Sequence, residues 1–198
     1  MDYRNLSLEE LLNYTYDRES WYFIGMAYWK QHDFAKAIEW LEKTRTDTGN
    51  KWAGNATFNL AQFYTMGAMA NKKDNPDEYN HSIEKALSLY DEMLSKKPKS
   101  SMATIHAGLL YYREKKEYAK GKKMIVDGIA FLKEEDGDDS YLKPDECFKI
   151  GVMFVREENS KEAIEYLTKT RDRCDIRYSS DRELREMAVS CLQDLGVS

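Results

Sequence analysis

Ala37-Ile-Glu-Trp-Leu-Glu-Lys-Thr-Arg45 returns later in the chain as Ala163-Ile-Glu-Tyr-Leu-Thr-Lys-Thr-Arg171. The segment ahead of each copy matches too. Trp21, Ile24, Gly25 and Tyr28 correspond to Cys147, Ile150, Gly151 and Phe154, at a constant offset of 126 residues and with no gap. An ungapped match of this kind is the signature of an internal repeat. Inside each copy the apolar residues recur at helical spacing: Trp21, Ile24, Gly25 and Tyr28, then Phe34, Ala37, Ile38 and Leu41. A short turn at His32-Asp33 joins the two stripes, so the unit reads as two antiparallel helices packed face to face.

Two looser units lie between the copies. Thr57, Leu60, Ala61 and Tyr64 open one, whose second helix carries Ala86, Tyr90 and Met93 and ends before Pro98. Thr104, Ala107, Gly108 and Tyr111 open the other, with Tyr118, Gly121, Ile125 and Gly128 in its second helix. The spacing exceeds that of the first unit in two places. These are a polar insertion over Gly67–Asn80 and an acidic loop over Lys133–Lys143. Pro76 and Pro144 suit the first turns of helices, and Pro98 suits the residue beyond a helix end. The small residues of each pair (Gly25 with Ala37, Gly108 with Gly121) let its helices approach closely. Each pair leaves an apolar face that only a neighbour can cover, so the ends need caps. Leu8, Leu11, Leu12 and Tyr16 supply one over 6–16, opened by a Ser7/Glu10 capping box. Leu184, Ala188, Cys191, Leu192 and Leu195 supply the other over 180–195, opened by Ser180/Glu183.

The pattern large-x2-Leu-Gly-x2-Tyr, then Ala-x3-large, with proline at the end, resembles the tetratricopeptide (TPR) repeat. Trp21–Leu41 and Cys147–Leu167 fit it well, and the middle units are similar to longer Sel1-like variants. The resemblance implies an all-α fold, an α-solenoid of about four TPR-like helix pairs with N- and C-terminal capping helices. It implies a single array over 1–198, with units at 18–51, 54–98, 101–135 and 144–174.

Composition bounds the function. The chain has 198 residues, is 42% hydrophobic and 33% charged, and carries a net charge of −5. That balance argues against general nucleic-acid or anionic-membrane binding, although Lys96–Lys123 holds nine basic and two acidic residues. No apolar run is long enough to span a bilayer, and the first residues lack the apolar stretch of a signal peptide, so the expected location is cytoplasmic. Cys147, Cys174 and Cys191 read as small buried hydrophobes, not as a disulfide framework. His32, His81 and His106 form no metal-ligand spacing, and no phosphate loop or nucleophile elbow is present. The run Glu134–Asp139 lacks calcium-loop spacing and reads as a solvated loop. No catalytic residue, cofactor or metal site is expected, and the chain is not read as an enzyme.

The resemblance implies binding instead. In TPR proteins the first helix of each pair lines a concave groove for peptides or helices. The corresponding positions are Tyr22, Met26 and Trp29; Phe58, Asn59, Gln62 and Thr65; Ile105, Leu109 and Tyr112; and Phe148, Val152 and Val155. At the positions of the family's carboxylate clamp stand Tyr22, Met26, Met102 and His106, with only Asn59 matching. An apolar peptide or amphipathic helix therefore suits the groove better than a terminal carboxylate. Two alternatives stay open for this stripe. One is internal core, covered by the insertion or by the terminal helix; the other is an interface between two copies of the chain. A ligand-sensing or catalytic site assembled from distant side chains is a third functional class.

Overall fold

A computed structural model describes residues 2–197. Among them are ten helices and no strand. They are α1 (Leu8–Leu12), α2 (Trp21–Lys30), α3 (Phe34–Thr46), α4 (Ala53–Asn71), α5 (Pro76–Lys96), α6 (Ser101–Arg113), α7 (Tyr118–Asp136), α8 (Pro144–Arg156), α9 (Ser160–Arg173) and α10 (Ser179–Asp194). The chain divides into two compact units, one ending at Ala103 and the other beginning at Thr104, inside the first turn of α6.

The turns explain why successive helices fold back on one another. At the α2–α3 turn, His32 takes a left-handed φ of 61°. The Asp33 amide then donates back to the Tyr28 carbonyl at 3.0 Å, while the Asp33 carboxylate accepts from the Lys36 amide at 3.2 Å. The α8–α9 turn repeats this, with Glu158 at a φ of 56° and the Asn159 amide on the Phe154 carbonyl at 2.9 Å. The α6–α7 turn uses Lys116 at a φ of 59° but is one residue longer, so that the Glu117 amide reaches the Tyr111 carbonyl at 3.0 Å. Each turn closes the orphan carbonyls of one helix and starts the next within a few residues.

Within the first unit, α2 packs on α3, α3 on α4 and α4 on α5. Ile24, Ala37, Leu41, Leu60, Ala61 and Ala86 are fully buried there. The polar insertion expected over Gly67–Asn80 is mostly helical. α4 continues through Ala68, which is fully buried, to Asn71, and α5 begins at Pro76. Asn75 caps α5 by accepting from the Glu78 amide at 3.2 Å. The extra length therefore lengthens two packed helices and does not form a loop. α1 is shorter than the expected cap, but its capping box is present: the Ser7 amide donates to Glu10 at 2.7 Å and the Glu10 amide to Ser7 Oγ at 3.3 Å. Leu11 and Tyr3 close over Ile24, and the Tyr3 hydroxyl donates to Asp17.

Within the second unit, α8 packs on α9, and α10 lies against both. Leu167, Ala188 and Leu192 form the buried seam, with Phe148 and Leu195 packed on it. Ser180 is not the cap of α10. The helix starts at Ser179 after Tyr178, and Asp181 instead accepts from the Asp175 amide at 2.9 Å. The acidic run is not a wholly solvated loop either. α7 extends to Asp136, and Asp139 is only 3% exposed. Its carboxylate accepts from Lys169 Nζ at 2.5 Å and from the Tyr166 hydroxyl at 3.0 Å, with the Arg173 guanidinium at 3.4 Å. Burial works against the charge, but Lys169 and its other partners hold the Asp139 carboxyl below the usual range.

Candidate interaction faces

In the first unit the folding of α4 against α2 brings together the side chains expected on one face. Tyr22 and Met26 on α2 meet Asn59 on α4, whose amide donates to the Tyr22 hydroxyl at 2.9 Å and lies 3.1 Å from Met26 Sδ. Asn59, the one residue matching the clamp pattern, is thus occupied inside the unit. The Tyr22 ring stacks on Trp52 at 5.2 Å and 8°, and burial raises its phenol pKa, opposed by the bond from Asn59. Trp29 lies flat on Phe63 at 3.4 Å and leans on Phe34 at 4.7 Å. Phe58 meets Tyr90 edge-on at 6.0 Å, and the Thr65 hydroxyl donates to the Ala61 carbonyl at 2.9 Å. Every residue expected on this face, Gln62 included, is half-buried. These side chains glue helix to helix with one side and present the other side to solvent.

In the second unit the expected residues separate into two groups. Ile105, Leu109 and Tyr112 on α6 are buried. The Tyr112 hydroxyl donates to Glu157 at 2.9 Å, and Lys122 reaches the other oxygen of that carboxylate at 2.8 Å. Burial and the Glu157 carboxylate push the Tyr112 phenol up to about 12. These three residues serve as packing. On α8, by contrast, Val152 is 41% exposed and Val155 39% exposed. Phe148, one turn earlier, is half-buried under α10. The three stand at i, i+4 and i+7, a single helical face whose apolar character continues outward past the cap.

Other buried polar groups of this unit serve packing. Glu146 is buried, accepts from the Lys143 amide at 2.7 Å and lies 2.9 Å from His106 Nε2. Sequence reasoning missed this cap of the Lys143 amide by Glu146, although Lys143-Pro144-Asp145-Glu146 carries the signal of a proline followed by a first-turn acid. Cys147 is fully buried, and burial pushes its thiol up to about 11, so it is a poor nucleophile. Among the described residues no group of three or more His, Cys, Asp or Glu side chains is placed to hold a metal ion, and no helix is long and apolar enough to cross a membrane.

No protein-family model matches the chain, and no curated protein sequence does. A solved structure does match. It is a thermophilic TPR protein of Thermus thermophilus, 16% identical, covering 94% of this chain and 87% of that one with a TM-score of 0.66. At that identity the likeness concerns the fold alone, and together with the turns, the small-residue approaches and the 126-residue repeat it gives the conclusion: the chain has a TPR-like helical repeat fold.

Proposed function

We propose that this chain is a protein-interaction module that holds an apolar peptide or an amphipathic helix against the outward faces of its first-of-pair helices. The observation that carries the reading is the α8 face, where two valines stay about two-fifths exposed in line with Phe148. An apolar stripe left in solvent at helical spacing fits a partner helix or an extended apolar segment. The half-buried Tyr22, Met26 and Phe58 offer a second such face in the first unit. TPR-like folds commonly serve as interaction scaffolds, which agrees with this role, and we read no catalytic function. The net charge of −5 argues against general nucleic-acid binding, and a cytoplasmic location suits the reading.

The test is co-purification of the tagged chain from its native cell, comparing the wild type with Val152→Asp plus Val155→Asp. Both positions are exposed, so the helical circular-dichroism signal stays unchanged. A partner captured by the wild type and lost by the variant is the expected result. A partner indifferent to the variant removes the α8 face from the proposal. A wild-type mass that rises with concentration, and does not in the variant, assigns that face to a second copy of the chain instead.

A further inference from the structure

The outward face of α8 carries one charge that its unit leaves without an opposite. Asp145, Lys149, Val152 and Arg156 follow one another along the helix in a single outward line. Asp145 and Lys149 neutralise each other at 2.8 Å. Arg156 is exposed and has no carboxylate partner among the described residues. Its neighbour Glu157 is already committed, one oxygen accepting from Tyr112 and the other from Lys122. Lys122 and Tyr112, with Arg156 adding its charge, hold the Glu157 carboxyl below its ordinary value. The Arg156 guanidinium instead lies over the Tyr118 ring, 5.5 Å from its centroid. A ring contact takes up none of the guanidinium N–H donors.

The surplus extends beyond one residue. The Tyr112 and Tyr118 rings stand 5.0 Å apart and bracket the α6–α7 turn, so that turn lies beside the end of α8. Arg113 and Lys116 in it also have no carboxylate partner among the described residues, and Lys116 bonds the Arg113 carbonyl at 2.6 Å. Against these three cations stands one uncommitted carboxylate, Glu158, in the α8–α9 turn.

We propose that the α8 face takes an acidic amphipathic helix of a partner protein. Its apolar side chains cover Val152 and Val155, and one of its side-chain carboxylates forks onto Arg156. Arg156 stands four residues beyond Val152, about 6 Å along the axis, so that carboxylate falls about one helical turn from the apolar anchor. Charge complementarity selects this occupant. A bidentate carboxylate supplies what the guanidinium lacks, whereas a basic helix would add to the surplus. The apolar stripe has helical spacing, and no sheet edge is present among the described residues, so a helix fits it better than a strand. The inference rests on the reading of α8 as a docking face and adds the charge of the partner.

The isotopically labelled chain is titrated with an acetylated, amidated peptide of three Glu-Leu-Ala-Ala-Leu-Gln-Glu repeats, long enough to form a helix. Two controls carry lysine or glutamine in place of every glutamate. Saturable amide shifts centred on Phe148–Arg156 are expected, with the acidic peptide binding about tenfold more tightly than the neutral one and the basic peptide weakest. Arg156→Gln removes that advantage, and Arg156→Glu reverses the order. Arg156 is exposed, so both variants keep their helical signal. Raising the salt to about 0.5 M narrows the difference between the peptides. Equal affinity for the three peptides, or a charge preference untouched by the Arg156 variants, overturns the inference and leaves the α8 face standing. Shifts that lie elsewhere, that no peptide saturates, or that survive Val152→Asp with Val155→Asp overturn the face and the inference together. A wild-type mass that rises with concentration, and does not in Arg156→Glu, overturns the partner by giving the carboxylate to a second copy.

Discussion

The pairs α2–α3 and α8–α9 share a spine and differ at its outer end. The spine repeats at the 126-residue offset. A Cβ on Gly25 would lie 2.8 Å from Leu41 Cγ, and one on Gly151 would lie 2.9 Å from Leu167 Cγ. Thr44 and Thr170 are both fully buried, and each donates its hydroxyl to the carbonyl four residues back, at 2.8 and 2.9 Å. The equivalent lysines then diverge. Lys43 sits over two indoles, 3.9 Å from the Trp21 ring and 4.5 Å from the Trp40 ring. Lys169 keeps one ring, lying 4.5 Å from that of Tyr166, but Cys147 stands in place of the second, and Lys169 bonds the Asp139 carboxylate as well. One copy closes its end with a cation on two indoles, the other with a cation on one ring and a buried ion cluster. A repeat preserves what lets backbones meet, while the periphery is free to change chemistry.

The α6–α7 pair marks the limit of that freedom and gives the largest expected effect. There a Cβ on Gly121 would lie 2.5 Å from the Tyr112 amide nitrogen and 2.7 Å from the Gly108 carbonyl oxygen, so the clash is with backbone. Gly121→Ala is expected to destabilise the chain by about 3 kcal/mol or more in urea unfolding. Gly25→Ala and Gly151→Ala meet leucine side chains that can shift, and each is expected to cost about 1–2 kcal/mol, equally in the two copies. Unequal losses at these two glycines would show that the spine is not shared.

The divergent ends separate by pH. The Asp139 carboxyl is held below its unfolded value, so its stabilisation is fully present above about pH 4 and is lost as the pH falls through the folded value. Asp139→Asn is expected to cost about 2 kcal/mol at pH 7 and progressively less as the pH falls below about 4, because the wild type then loses the same contribution. Lys43→Met, which removes a cation from two rings in the other copy, is expected to cost about 1 kcal/mol with no acid dependence. Urea midpoints across that pH range check both. A Lys43 variant that tracked pH as Asp139→Asn does would erase the distinction.

The smallest effect sharpens the likeness. His32 and Glu158 occupy the same left-handed turn position, which a side chain other than glycine adopts at a cost. His32→Gly and Glu158→Gly are each expected to stabilise by about 0.5–1 kcal/mol in thermal or urea unfolding, because the strain outweighs the added chain entropy.

The legible part of this molecule is the part that repeats. Helical spacing, the small residues at 25 and 151 and the prolines at 76 and 144 act locally and can be read without coordinates. Asn75-Pro76 with Glu78 is also a readable helix start, but the polar residues around it suggest a loop, and only the burial of Ala68 shows that α4 runs on towards it. Asp139 looks solvated among its acidic neighbours because Lys169 and Arg173, which bury it, lie some thirty residues away. The interaction faces are legible as positions on helices and not as exposure. The helical spacing of Leu109 and Tyr112 is that of Val152 and Val155, yet the first two are buried and the valines are not. Exposure depends on what packs alongside, which periodicity does not encode.

The burial of Cys147 has an experimental consequence. Its sulfur lies 3.9 Å from the Leu142 carbonyl oxygen and 3.6 Å from an Arg173 nitrogen, sealed beneath the loop that Asp139 ties down. Cys174 and Cys191 remain partly accessible. With those two replaced by serine, the alkylation rate of the last thiol becomes a clock for transient opening of the α8–α9 pair, readable in the intact chain under native conditions without any introduced probe.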